Sequence, residues 1–384
     1  MRCISLKKKL IFSFPKKKEI LLYINSHDCI KNKESFFHET LDRNTYEVVD
    51  QNLYFINFWI LLLTFLKFNF SSMSYKCTMI KWVRPKFFIT NVDNDVSFYK
   101  LKPLFPNIIF VAIQNGWRGK TNDIFGSHDF KNDPLHCDYI FVFNEDVSDT
   151  YRKFFNTKTI VSGSMIANTL KLFDPVIKKK KISFLLQFRT RKYYPFRSKP
   201  KKNNKNYLWD DLFLNTSIIL KYLGEYCHLN NIELNVIGRS RHGHEQIEEN
   251  NFIKEYIHHD FKYIPRVNKY SSYNATADSK VVVSINSTLT FELMALGKRV
   301  VNINTRSKIY QDIEDSFGYP AIKVREGCFW TESLDKEKIF NLINFAINST
   351  EIEWKEKAGC YTSKLMKYDY KNTLFKNFLK KYEK

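Results

Sequence analysis

The chain has 384 residues, room for two domains of ordinary size, and its 44% hydrophobic and 16% aromatic content excludes a disordered or fibrous class. A formal charge of +21 directs attention to polyanions or anionic lipid headgroups as partners. The seven cysteines are scattered and contain no CxxC pair, which argues against a disulfide framework or structural zinc and fits reduced thiols in a cytoplasmic protein.

At the start, Pro15 and Lys16 cut the apolar run around Leu10, Ile11 and Phe12 to about five residues, short of a signal-peptide core. Residues 19–24 read as a first strand, followed by a polar helix or loop to about Arg43. Ser26, His27 and Asp28 stand where ligands collect in open α/β sheets, and His27 reads either as an acceptor contact or as a solvated loop residue. Residues 53–70 are strongly apolar but carry Asn57 and Lys67, and the uninterrupted part falls short of the roughly 20 residues of a membrane span. A buried helix of the first domain is the expectation there, with a span as the alternative.

Residues 86–90 form the next expected strand, and Asp93-Asn94-Asp95 follows it. This D-x-D triplet suits either a divalent metal bridging a diphosphate or a polar loop that caps the next helix. A strand at 107–113 ends in Gln114, Asn115, Gly116, Trp117 and Arg118. Gly116 would let the backbone take a positive φ close to a ligand and Arg118 offers a bidentate fork, unless the segment is simply a tight turn. A strand at 138–143, a helix at 147–155 and a strand at 159–161 continue the alternation that marks a doubly wound sheet. His128, His136 and Cys137 match no metal-binding spacing.

Composition shifts near Thr169, and residues 171–181 read as a linker. A strand at 182–186 closes with Gln187, Arg189 and Arg191, cations that suit an anionic donor. The Lys-rich stretch 192–206 is either a solvated insertion or a patch for anionic membrane or glycolipid. A helix at 210–229 leads to a strand at 232–237 that ends in Gly238, Arg239, Ser240 and Arg241. After a helix at 245–257 and a short strand at 261–264, residues 279–304 form the clearest β-α-β unit of the chain. Val281 to Val283 make its first strand and Leu289, Leu293 and Leu296 its helical stripe, which Gly297 ends before Val300, Val301 and Ile303 restart a strand. Helices are expected at 336–348 and through 351–382.

At the join of that unit, Ser284, Asn286, Ser287 and Thr288 precede and open the helix, so Ser287 and Thr288 can cap it and its first N–H groups can meet an anion. Glu292 lies one turn on, on the face of Thr288. It either binds sugar hydroxyls or pairs with Lys298 or Arg299.

Small polar residues, a Thr, a Glu four residues later and Gly297-Lys298 before a new strand resemble the donor-site motif of GT-B glycosyltransferases. The likeness is closest to bacterial surface-carbohydrate (O-antigen and capsule) biosynthesis proteins, including capsule Kdo transferases and CDP-glycerol glycerophosphotransferases, and it covers most of residues 85–305. In that pattern an acidic residue often stands at Asn286 and Gly at Thr290.

The resemblance implies an α/β fold with two Rossmann-like domains facing a cleft. Residues 1–170 would be the acceptor side, 182–350 the nucleotide-donor side, and 351–384 helices returning to the first domain. Ser284, Asn286, Ser287, Thr288, Glu292, Gln187, Arg189, Arg239 and Arg241 would contact the donor; Gln114, Asn115, Gly116 and Arg118 the acceptor; Asp93 or Asp95 would be the base. Cationic and helix-dipole stabilisation would replace a metal, so no cofactor is expected, and the donor itself is a nucleotide sugar such as CMP-Kdo, or CDP-glycerol. The acceptor would be a glycan or glycolipid at the inner face of the cytoplasmic membrane, with an anionic membrane surface as a further partner and no nucleic acid. The alternative of another class is a non-catalytic polyanion binder, although no nucleic-acid-binding signature is present.

Overall fold

Long apolar runs make strands here because parallel sheets are covered on both faces. The computed structural model describes residues 9–25, 36–68, 71–119, 123–173, 180–190, 209–240 and 243–382. It divides into two units: Met1–Asn115 with His128–Thr169 and Asp369–Lys384, and Gly116–Ser127 with Leu170–Tyr368.

The strands of the first unit are β1 (Lys9–Ile11), β2 (Ile20–Ile24), β3 (Tyr46–Asp50), β4 (Phe55–Asn57), β5 (Phe87–Thr90), β6 (Ile109–Ile113), β7 (Leu135–Val142) and β8 (Phe155–Val161). Six of them form one parallel sheet in the order β3-β2-β5-β6-β7-β8, while β1 and β4 pair separately. Every residue of β2 is buried. Leu22, Ile89, Val111 and Phe141 meet on one face of the sheet with Phe375 and Leu379 of a helix, Thr373–Lys380, that comes from the far end of the chain.

The stretch 53–70 is not one buried helix. Leu53 takes a positive φ, β4 follows, and only Phe58–Phe65 is helical before Phe68 takes a positive φ again. Leu62, Phe65, Leu66 and Phe68 lie open on the surface. Strand β3, whose polar residues hide its pattern, falls beyond the stretch read as helix or loop.

The second unit holds β9 (Lys181–Leu185), β10 (Glu233–Ile237), β11 (Lys262–Ile264), β12 (Val281–Ser284), β13 (Arg299–Ile303) and β14 (Trp330–Thr331). All are parallel, in the order β11-β10-β9-β12-β13-β14, so the chain winds outward from β9 to one side and then restarts at β12 on the other. The helices between them are α1 (Trp209–Leu229), α2 (Gly243–Tyr256), α3 (Ser271–Thr276), α4 (Thr288–Ala295) and the short helix Arg306–Tyr310, and α5 (Lys336–Asn348) and α6 (Glu351–Leu365) follow β14. Gly297, at φ +90, ends α4 with the Lys298 N–H bonded to the Leu293 carbonyl, a turn that a side chain at this position would strain.

Lys181, assigned above to the linker, belongs to β9, where its ammonium pairs with Asp278 at 2.7 Å and Glu233 at 3.1 Å. The helices of 351–382 separate, α6 falling in the second unit and the final helix in the first. Ser26, His27, Asp28, Arg191, the stretch 192–206 and Arg241 lie outside the described residues. Among the described residues no helix is long and apolar enough to cross a membrane.

Candidate functional site

In a sheet wound this way, the crevice for a ligand opens beyond the carboxyl ends of the two strands where the winding reverses, here β9 and β12. Asn286 and Ser287 are half-buried at the end of β12 and lead directly into α4. Ser287 is the N-cap residue by position but makes no capping bond through its side chain, and the Thr290 N–H bonds to the Ser287 carbonyl instead. Thr288 does not cap the helix either: its hydroxyl accepts the N–H of Trp117 at 2.8 Å.

Ser284 is corrected from a donor contact to a core residue. It is fully buried, and its hydroxyl bonds to that of Thr290 and accepts from Asn302 Nδ2 at 3.0 Å. Thr290 therefore has a packing partner that glycine would lack.

Glu292 is buried, and its Oε2 accepts the Tyr273 hydroxyl proton at 2.6 Å. Burial and then the adjacent carboxylate push the Tyr273 phenol far above its ordinary range, so it remains a hydrogen-bond donor. The cations considered above have partners of their own. Lys298 donates to the carbonyls of Ala277 and Ser279, and Arg299 reaches Ala346, Ser349 and Glu351.

Four arginines follow the carboxyl ends of neighbouring strands: Arg189 after β9, Arg239 after β10, Arg266 after β11 and Arg306 after β13. Arg239 is exposed to solvent along its side chain, yet protein crowds around its guanidinium. Burial, followed by the charges of Arg189, Arg306 and Arg266, lowers its guanidinium to about 10, so it is still a cation at neutral pH in a field that repels it. An anion would relieve that repulsion.

The backbone beneath these cations is firmly held. Glu249 is fully buried and accepts from the N–H groups of Arg239 and Ser240 at 3.1 and 2.9 Å, the Ser240 hydroxyl at 2.8 Å and the Tyr263 hydroxyl at 2.8 Å. Burial raises the Glu249 carboxyl above its ordinary range despite these donors. Gly238 is dictated by close approach, since a Cβ there would stand 2.6 Å from both Glu249 Oε2 and the Tyr263 oxygen. Gln187, itself buried, accepts from Arg306 Nη2 at 2.9 Å, which links the loops after β9 and β13. Among the described residues, Arg306 Nε and Thr190 Oγ1 are buried without a hydrogen-bond partner.

Arg266 and Arg306 escaped the sequence reading. The signal is an arginine two to four positions after the ends of four of the six strands, visible only once β9, β10, β11 and β13 are known to lie in one sheet.

The residues expected on the acceptor side are divided by the structure. Gln114 and Asn115 belong to the first unit, whereas Gly116 and Arg118 belong to the second. Gln114 is buried and its Oε1 accepts the Phe143 N–H at 3.0 Å. Gly116 is not at a positive φ; what it provides is room, because a Cβ would lie 3.3 Å from Arg118 Nη1. Arg118 pairs with Asp123 at 3.6 Å.

Neither aspartate is presented as a base. Asp93 is fully buried, with Oδ1 accepting the Asn115 N–H at 3.1 Å and Oδ2 the Tyr151 hydroxyl at 2.5 Å. Asp95 caps the short helix Val96–Tyr99 through the Ser97 N–H at 3.0 Å, and its other oxygen accepts the Tyr23 hydroxyl at 2.5 Å. Behind it, buried Lys76 donates to the Tyr23 oxygen at 2.7 Å, and its ammonium is lowered by burial against the pull of Asp95 and Asp50. Both carboxylates of the D-x-D triplet therefore organise the loop after β5.

Two Rossmann-like parallel sheets, with a polar helix start and an arginine group at the winding reversal of the second, define an α/β protein of the GT-B kind. The sequence belongs to the family described as "putative O-antigen biosynthesis protein", whose model matches residues 111–383. Solved structures share the fold at low identity. S. aureus MnaA, in a co-structure with UDP, is 11% identical over 95% of this chain and 96% of that one, with a TM-score of 0.53. The Methanocaldococcus jannaschii UDP-GlcNAc 2-epimerase in complex with UDP-GlcNAc and UDP is 11% identical over 94% and 99%, at 0.53. Sucrose-phosphate synthase from Thermosynechococcus elongatus is 12% identical over 94% and 88%, at 0.51. No curated protein matches the sequence.

Proposed function

We propose that the chain is a glycosyltransferase that takes a sugar from a nucleotide-activated donor held by its second unit. The acceptor would be a growing surface polysaccharide or lipid-linked glycan at the inner face of the cytoplasmic membrane. The observation that carries this reading is the convergence of Arg189, Arg239, Arg266 and Arg306 on the carboxyl edge of the sheet that also presents the start of α4.

In this reading the phosphate groups lie against Arg239 and Arg306, with Asn286, Ser287 and the first N–H groups of α4 nearby. As the bond to the sugar breaks, negative charge grows on the departing phosphate. Guanidiniums already crowded together stabilise that charge without having to move into place. Glu292, whose Oε2 accepts the Tyr273 hydroxyl, is the carboxylate that would meet donor hydroxyls. Four cations suit a nucleoside diphosphate better than the single phosphodiester of a CMP-sugar. This favours a diphosphate donor, such as the UDP compounds bound by two of the fold neighbours, over CMP-Kdo.

The test is a thermal-shift panel with CMP, CDP, UDP, GDP and CMP-Kdo, repeated on Arg239→Ala and Glu292→Ala. A nucleotide at about 100 times its dissociation constant stabilises the fold by about 2.7 kcal/mol. A diphosphate-selective shift lost in Arg239→Ala is the expected result. No shift with any nucleotide in the wild-type protein would overturn the reading.

A further inference from the structure

One face of the first unit carries apolar side chains that the fold leaves uncovered. Phe12, Phe14, Leu62, Phe65, Leu66 and Phe68 are all exposed, Leu66 by 68% and Phe68 by 87%. Single exposed apolar residues are ordinary, but a group drawn from adjoining segments marks a contact surface.

This surface is built. The extended strip 12–15 is fastened to the two helices beside it by three side-chain donors. Trp59 Nε1 reaches the Phe12 carbonyl at 2.6 Å, Asn57 Nδ2 the Ser13 carbonyl at 2.7 Å and Trp82 Nε1 the Pro15 carbonyl at 2.8 Å. Phe14 stacks on Trp59 at 4.5 Å and leans on Trp82 at 5.6 Å, and Phe12 packs on Phe58 at 5.2 Å. Both indoles thus satisfy their N–H inside the protein and leave ring surface to the outside.

The charges carried by the segments that build it have one sign. No Asp or Glu occurs among residues 1–18 or 51–92. Lys16, Lys17, Lys67, Lys81 and Arg84 are exposed next to the apolar side chains in sequence. The carboxylates beside it are Glu47, which accepts the Lys16 N–H at 3.1 Å, Asp50, which is buried and accepts the N–H groups of Tyr54 and Phe55, and Glu19, 4.0 Å from Lys86. The helix Phe58–Phe65 is far too short to span a bilayer, so at a membrane its apolar side chains would lie in the interface.

We propose that the face formed by residues 12–15, 58–68 and 81–84 docks on an anionic lipid bilayer, its aromatic and leucine side chains entering the headgroup boundary while the lysines and Arg84 meet lipid phosphates. This combines the two signals that a stable peripheral attachment needs, apolar burial and cationic attraction. It stands on the first unit alone and is independent of the donor reading.

The experiment is co-sedimentation of the full chain with vesicles of phosphatidylglycerol and phosphatidylethanolamine, against vesicles of phosphatidylcholine alone. The wild-type protein is expected to pellet with the anionic vesicles and to be partly released by salt. Leu66→Asp combined with Phe68→Asp lowers binding at least tenfold at an unchanged unfolding midpoint, since both side chains face solvent. Lys67→Glu and Lys81→Glu each lower it about fivefold, on anionic vesicles only. Absence of wild-type binding, or equal binding by the double variant, overturns the proposal. So does light scattering that shows the face to hold two copies of the chain together in place of lipid. The nucleotide-dependent thermal shift of each variant reports separately on the donor site.

Discussion

The backbone N–H of Trp117 meets the hydroxyl of Thr288 at 2.8 Å across 171 residues of sequence. The Trp117 ring stacks on Phe291 at 4.0 Å, one turn further along α4, and its Nε1 donates to the Tyr319 carbonyl at 2.9 Å. Phe291 in turn stacks on Phe317 at 5.2 Å. The start of α4 is therefore steadied by a segment that the chain supplies long before the helix. Trp117→Ala is expected to destabilise the second unit by about 2 kcal/mol through lost ring packing. Trp117→Phe, which keeps a ring on Phe291 and loses the bond to Tyr319, is expected to cost about 1 kcal/mol. Calorimetric midpoints measure both, at roughly 2–4 °C per kcal/mol for a unit of this size.

The arginine group makes an unusual prediction because its members repel one another. Arg239→Ala should leave the ligand-free midpoint unchanged or raise it slightly, while it weakens binding of a nucleoside diphosphate by about 10–100-fold, the worth of a charge-assisted hydrogen bond. Arg306→Ala should weaken binding as well and also free Gln187. Titration calorimetry at two salt concentrations checks this; a fall in stability without a fall in affinity would assign the arginines to the fold.

Glu249 links stability to pH. Its carboxyl is raised above the ordinary 4.5, so the folded state holds its proton more tightly than the unfolded chain does. Between 4.5 and the raised value the folded form binds more protons, and the Glu249 contribution to stability declines as pH rises through that window. Glu249→Gln keeps an acceptor for the Arg239 and Ser240 N–H groups and removes this part of the pH dependence. Glu249→Ala leaves those donors unpaired and is expected to cost about 2–3 kcal/mol. Urea denaturation repeated across pH 4 to 7 separates the variants.

Asp93 and Asp95 should behave as structural residues. Asp93→Asn turns one acceptor toward the Asn115 N–H or the Tyr151 hydroxyl into a donor, and is expected to cost about 2 kcal/mol in the first unit. Asp95→Asn, at a half-buried site, should cost about 1 kcal/mol through the cap of Val96–Tyr99. If Asp93→Asn abolished sugar transfer with an unchanged unfolding midpoint, the catalytic role expected from the D-x-D triplet would be restored.

The helices and inner strands were legible because their apolar periods are strong. Residues 336–348 were read at both ends, and 281–303 resolved into the expected strand, helix and strand closed by Gly297. Strand β3 carries no legible pattern because only part of it is covered at the sheet edge, and in the stretch 53–70 hydropathy does not report burial, since Leu62, Phe65, Leu66 and Phe68 are exposed. Of the four arginines that follow strand ends, Arg189 and Arg239 were legible from their positions after strands. Arg266 and Arg306 were not, since nothing local distinguishes an arginine after a short strand from any other surface cation.

By itself the sequence determined most of the inner strands and the longer helices, where the polar turns after them fall and that the chain carries a large excess of cations, because these depend on neighbours within about one turn. The tertiary structure alone decided what each polar group does. It turned Ser284 and Asp93 inward to partners 18 and 58 residues away, and brought the Tyr273 hydroxyl onto Glu292. It also set arginines from separate loops against one another, because hydrogen-bond partners and charge fields depend on distance in space, which strand order fixes and sequence order does not.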